Sequence, residues 1–174
     1  MDPILERFVA IDVEIASRSP VRICAIGAAR FESRRETASY RSLVHVDGRV
    51  RFSDIHRLTA GDLTRAPAWP VVWSALRQFM GDIRFLVAFR AAFDRGAILA
   101  MCAAHGLRLP PLHFLCAAEM VEARFTRNLD LRAALDVLGL PFPGRHHDPL
   151  SDARAAAAIA IACSSPPPTG TAEP

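Results

Sequence analysis

The chain has 174 residues, 51% of them apolar and 22% charged, with a formal net charge of +3. These proportions suit a single soluble globular domain with room for a full core, and no apolar run approaches the roughly 18–20 residues that a membrane span needs. The N-terminus, MDPILERF, lacks a basic stretch followed by a long apolar one, so no secretory signal is visible and the cytoplasm is the expected location.

The first third predicts three strands: RFVAIDV, VRICAIGAARFE and TASYRSLVHV, with polar or proline-containing breaks between them and short connections that fit an antiparallel meander. FSDIHRLTAGDLTRAP mixes turn and helix signals and reads as a surface excursion. From Pro67, PAWPVVWSALRQFMG places Trp69, Val72, Trp73, Leu76, Phe79 and Met80 at helical spacing, with Gly81 as its stop. RFLVAF is a short apolar strand, and DRGAILAMCAAHG is a helix closed by Gly106. LHFLCAAEMVEARF reads as a fifth strand running into a helix, and LDLRAALDVLGL and PLSDARAAAAIAIAC complete the helices. The end of the chain, residues 164–174, is rich in Pro, Ser and Thr, and a disordered tail is expected after a domain spanning residues 1–163. Early strands followed by strand–helix alternation predict an α/β domain, a mixed sheet covered by helices. Cys24, Cys102, Cys116 and Cys163 are scattered among apolar neighbours with no C-x-x-C pair, the pattern of buried free thiols.

The chemistry begins at the end of the first strand, in FVAIDVEIAS. Strand side chains alternate, so Asp12 and Glu14 share a face while Val13 takes the other. Two carboxylates so close need either a compensating cation or a wet strand end. In LVAFRAAFDRGAILA, Asp94 follows a strand and falls in the first turn of the next helix, where the dipole favours its ionised form. In HHDPLSDARAAAAI, Asp148 is a good N-cap and Pro149 a good first helical residue, which puts His147 just ahead of the helix and Asp152 in its first turns. His146 lies one position too early for the same spacing and is assigned a solvated or structural role. Asp12, Glu14, Asp94 and Asp152 thus fall at strand ends and helix starts with His147 beside them. Carboxylates select hard divalent ions such as Mg²⁺ or Mn²⁺ over Zn²⁺. Four of them can hold two ions about 3.5–4 Å apart, the arrangement that stabilises both oxygens in an in-line phosphodiester displacement. A histidine that titrates near neutrality can take the proton from an attacking water.

The order D-x-E, then F-D after a strand, then H-x4-D before an alanine-rich helix resembles the DEDDh 3′–5′ exonucleases, which include polymerase III proofreading subunits and ribonuclease T. The resemblance covers residues 7–163. It implies a ribonuclease H-like fold, a mixed five-stranded sheet with helices on both faces, and two Mg²⁺ or Mn²⁺ ions as cofactors. Asp12 would bridge the ions, Glu14 and Asp152 would complete one position, Asp94 would serve the other, and His147 would be the general base. The terminal nucleotide would rest near the backbone after Glu14, at Ile15, with His56 of SDIHRLT and Phe93 forming its pocket. The implied substrate is single-stranded DNA or RNA with a free 3′ end.

The chain departs from the family pattern at three places. Ile15 stands where members often carry Thr, Arg57 replaces the glycine of I-H-G-I-T, and Phe89-Arg90 replaces His-Asn ahead of the third acid. Arg90 lies four residues before Asp94, within reach of a substrate phosphate. All 21 basic residues are arginine; if a metal site takes four of the 18 acids, these face 14 remaining acids, a balance of +7 that suits a polyanionic partner. The alternative is a nucleic-acid-binding relic of the same fold, weak or inactive as a catalyst. It would not need His147 and four acids together.

Overall fold

The computed structural model describes residues 3–164. A 3₁₀ turn, Pro3–Glu6, leads into β1 (Arg7–Arg18), β2 (Val21–Glu32) and β3 (Arg35–Leu43). Two one-turn helices follow, α1 (Ser53–His56) and α2 (Ala60–Leu63), then α3 (Trp69–Met80), β4 (Phe85–Ala88), α4 (Ala91–Ala104), β5 (His113–Cys116), α5 (Ala117–Phe125), α6 (Leu131–Val137) and α7 (Pro149–Ser164). The strand order is β3-β2-β1-β4-β5. The meander β1–β2–β3 is antiparallel, as its short connections predict, whereas β4 and β5 run parallel to β1. The expected mixed five-stranded α/β architecture is the one observed.

The central strand β1 explains its own composition. Val9, Ile11, Val13 and Ile15 enter one core with Trp69, Trp73 and Leu76 of α3 and Ile98 of α4. Phe8 and Ala10 point the other way, into a second core with Val121 of α5, Leu135 of α6 and a row of α7 alanines. Both faces are covered, so the strand reads as a nearly continuous apolar run. Each fully buried aliphatic side chain in these layers contributes roughly 1.5–3 kcal/mol. Ala153, Ala155, Ala156, Ala157 and Ala160 are buried in α7, and their single methyl groups let that helix lie close against the sheet.

Two expectations need correction. The segment 52–67 is not merely a surface excursion. It folds into α1 and α2 and buries His56 and Leu63, the latter in a small third cluster with Ala16, Cys24 and Val46. Thr59 and Asp62 close a capping box around the start of α2. Arg57 adopts φ 65°, the left-handed region that glycine enters without strain, which gives a backbone reason for the glycine at this point of the family motif. Second, α7 continues through Ser164, whose hydroxyl donates to the Ile161 carbonyl, so the helix takes the first residue assigned to the tail. Residues 165–174, the remainder of that tail, lie outside the described residues. Among the described residues no helix is long and apolar enough to cross a membrane.

Candidate active site

β1, α4, α6 and α7 converge on one cavity of about 280 Å³ lined by Asp12, Glu14, Asp94, Asp152, His146 and His147, with Asp130, Arg90 and Phe93 at its walls. β1 supplies Asp12 and Glu14 on the face turned toward α7. The β1–β2 ladder slips between Glu14 and Ile15 and again between Ile15 and Ser17. Such bulges re-aim side chains where pairing is interrupted. Asp12 lies opposite Gly27 of β2, and a Cβ there would overlap the backbone of Pro149 and Leu150. That bare glycine lets the start of α7 settle onto the sheet, which brings Asp152 to Asp12.

Donor oxygens of Asp12, Glu14 and Asp152 all lie within 4.8 Å of one another. Asp94, in the first turn of α4, lines the same cavity but stands outside that trio, and its Oδ1 accepts the Val13 N–H at 3.0 Å. Asp152 is held on two sides. The His147 N–H donates to its Oδ2 at 3.1 Å, and His146 Nδ1 meets its Oδ1 at 3.2 Å. His146 is therefore not a solvated bystander. Its ring stacks on His147, with centroids 3.9 Å apart, and meets Phe142 edge-on. The His147 side chain is 41% exposed, and its Nδ1 lies 3.9 Å from Glu14 Oε1. Asp148 plays its expected capping part: its Oδ1 accepts the Ser151 N–H, and its Oδ2 pairs with Arg41.

Burial pushes Glu14 up to about 8, helped by Asp152 and Asp94. Burial likewise raises Asp94 to about 7, against the Val13 hydrogen bond that favours its charged form. Asp12 is raised well above the usual carboxylate range, chiefly by burial and then by Asp94 and Asp152. Asp152 is raised by burial, with His146 opposing. His147 is lowered by burial and by its neighbour His146, so its imidazole is neutral near pH 7. Among the described residues no arginine pairs with these four acids, whose nearest nitrogen partners are the rings of His146 and His147. A set of mutually repelling, partly desolvated carboxylates without an arginine counter-ion fits a hard divalent cation.

The sites expected for substrate fall in three places. Phe93 is 47% exposed and stands between the acid cavity and a neighbouring apolar one of about 400 Å³, which Ile15, Arg18, Val21, Ala92, Gly96 and Ala97 also line. Arg90, exposed at the start of α4, lines the acid cavity. His56 is not in that cavity: it is 2% exposed, its Nε2 meets the Arg51 carbonyl at 3.0 Å and its Nδ1 accepts the Leu58 N–H, so both ring nitrogens serve their own loop. Asp130 escaped the sequence reading. It is legible as the cap of α6, whose Ala133 N–H it accepts, but its reach into the cavity depends on how α6 docks.

A mixed sheet in this order, with acids gathered around its central strand, defines a ribonuclease H-like nuclease. The chain belongs to the exonuclease (RNase T) family, which matches residues 9–160, and this bears out the DEDDh resemblance read from the motifs. It is a hydrolytic exonuclease of a metal-dependent family, with acidic residues placed to hold an ion. No curated protein sequence matches it. Among solved structures, the nuclease domain of 3′hExo, a DEDDh family member bound to rAMP, superposes with a TM-score of 0.79 at 16% identity, covering 92% of each chain. Exonuclease X in complex with 5′ overhanging duplex DNA gives 0.67 at 20% identity, over 88% of this chain and 90% of that one. The Mg²⁺- and Mn²⁺-bound form of S. pombe Pop2p gives 0.69 at 14% identity, over 88% and 81%.

Proposed function

We propose that the protein removes nucleotides one at a time from the 3′ end of single-stranded DNA or RNA, with two Mg²⁺ or Mn²⁺ ions held by Asp12, Glu14, Asp94 and Asp152, and with His147 as general base. The observation that carries this reading is the trio Asp12, Glu14 and Asp152 within 4.8 Å, with His147 beside Glu14 and tied through its backbone to Asp152. When bound, the ions would supply charge neutralisation at the scissile phosphate and acidify the attacking water. His147 accepts the proton from that water on a ring nitrogen, and its lowered pKa leaves the lone pair available at neutral pH. Asp152, gripped by the His147 N–H and by His146, keeps the loop that carries the base in register with β1. Phe93 and Ile15 would hold the terminal nucleotide by stacking and apolar contact, and Arg90 would meet a phosphate. The relatives bound to rAMP, to DNA and to Mg²⁺ and Mn²⁺ support the same chemistry here by analogy.

The test uses 5′-labelled single-stranded DNA and RNA with Mg²⁺ or Mn²⁺. A ladder shortening by single nucleotides from the 3′ end, stopped by EDTA and by a blocked 3′ terminus, is expected. Internal fragments, immediate release of the 5′ label or no shortening would overturn the proposal.

A further inference from the structure

Three neighbouring cavities are linked through Phe93, Arg18 and Phe52. The acid cavity and the apolar cavity share Phe93. The apolar cavity includes Arg18, whose guanidinium sits 5.4 Å over the ring of Phe52. Phe52 in turn lines a third cavity of about 480 Å³ with Arg49, Val50, Arg51, Ser53 and Asp54. The geometry points to a nucleic-acid groove at this third cavity: we infer that Arg49, Arg51 and Arg18 bind backbone phosphates of the nucleotides on the 5′ side of the one being removed. The inference rests on the exonuclease reading above.

The loop is built to present those arginines. Arg22 donates through one nitrogen to the Asp47 carbonyl and through another to the Arg49 carbonyl, and the Arg51 N–H donates to the Ala16 carbonyl at 2.9 Å. His56 accepts the Leu58 N–H and meets the Arg51 carbonyl, closing the far side. These bonds fix the backbone of 47–58 against β1 while leaving the Arg49 and Arg51 side chains exposed. Phe52 adopts φ 63°, and its ring is partly buried against the first core. Of the charged side chains lining the third cavity, Asp54 opposes two arginines, so the local balance favours an anion. A partly buried aromatic ring flanked by guanidinium groups suits a single strand, whose phosphates track the charge. From Asp12 to Arg18 the strand rises roughly 20 Å, which a strand stacked at about 3.4 Å per nucleotide covers with roughly six nucleotides.

The experiment compares wild type with Arg49→Ala/Arg51→Ala. Affinity for fluorescent DNA and RNA oligonucleotides of two to ten nucleotides is read by anisotropy against salt in Ca²⁺, and turnover is read on the p-nitrophenyl ester of thymidine 5′-phosphate, which reaches no further than the first two cavities. Wild-type affinity should rise with length and level off near six nucleotides. The variant should lose that rise and flatten the salt slope by about 1.4, roughly 0.7 for each phosphate no longer neutralised. Its ester turnover and melting temperature should match wild type. Coincident salt slopes, or a length dependence unchanged in the variant, would overturn the groove. Failure of wild type to turn over either the ester or an oligonucleotide would count against the exonuclease reading, while the affinity data would still judge the groove.

Discussion

His146 and His147 divide one job. Adjacent in sequence, they stack in space, yet only His146 puts a ring nitrogen on Asp152, while His147 leaves its ring near Glu14 and partly open to solvent. The backbone makes this possible: His147 sits at φ 61°, a left-handed conformation that turns its N–H onto Asp152 while its ring stays close to both Asp152 and Glu14. His147→Ala should therefore lower single-turnover hydrolysis by about two to four orders of magnitude, the usual worth of a positioned base, with Mn²⁺ affinity little changed. His146→Ala should act differently, by loosening Asp152 and weakening Mn²⁺ binding, and His146→Gln, which can still offer an N–H, should restore much of that loss. Wild-type turnover in His147→Ala together with collapse of turnover in His146→Gln would reverse the two roles.

At the scale of elements, the site depends on how closely α7 approaches the sheet. Gly27 is flanked by side chains packed in the core, and a Cβ there would fall on the backbone of Pro149 and Leu150. A lone glycine within a strand pattern is the mark of such an approach. Gly27→Ala should cost about 1–3 kcal/mol of stability, the range for overpacking a close contact. It should also weaken Mn²⁺ binding by moving Asp152 off Asp12, read by thermal melts and metal titration on the same sample. Unchanged metal affinity alongside lost stability would mean that α7 can shift without carrying Asp152 away. The irregular stretch of β1 just after Glu14 has a parallel role: it ends the acid face and starts the apolar pocket of Ile15.

Across the whole molecule, the acids store a repulsion that pH and metal should reveal. Glu14, raised from its ordinary 4.5 to about 8, and Asp94, raised to about 7, bind protons more tightly in the folded chain than in the unfolded one. Their contribution to stability is thus present below about pH 4 and is lost as pH rises through about 7 and 8. Metal-free protein should melt at progressively lower temperature between pH 5 and pH 8. Saturating Mn²⁺ or Mg²⁺ should abolish that decline, because ions bind the ionised carboxylates and only the folded chain gathers them. Asp12→Asn should abolish hydrolysis while leaving the metal-free melting temperature at pH 8 equal to wild type or higher. A large loss of metal-free stability in this variant, or a metal-free melting temperature flat from pH 5 to pH 8, would show that these carboxylates are structural.

Sequence alone determined the elements and the chemistry of the candidate residues. Apolar runs bounded by turn residues and period-3.6 patterns are local, so VRICAIGAARFE and PAWPVVWSALRQFMG announce β2 and α3 without help from the rest of the chain. The pairing of Asp12 with Glu14 on one face follows from strand alternation, and Asp148-Pro149 marks the start of α7 by capping chemistry. Distance in space is another matter. That Asp152 meets Asp12 and Glu14, while Asp94 stands apart and bonds to Val13, depends on helix docking across 140 residues of chain, which no local pattern encodes. The same limit hid Asp130, read as no more than part of a helix start, and misplaced His56, whose motif spoke for the substrate pocket but whose two nitrogens are spent on its own loop. It also hid the contact of His146 with Asp152, because one residue in the left-handed region at His147 turns the loop in a way that spacing along a regular helix cannot anticipate. Residue type and period are written in the chain, whereas the reach of a side chain is set by the packing that fixes its backbone.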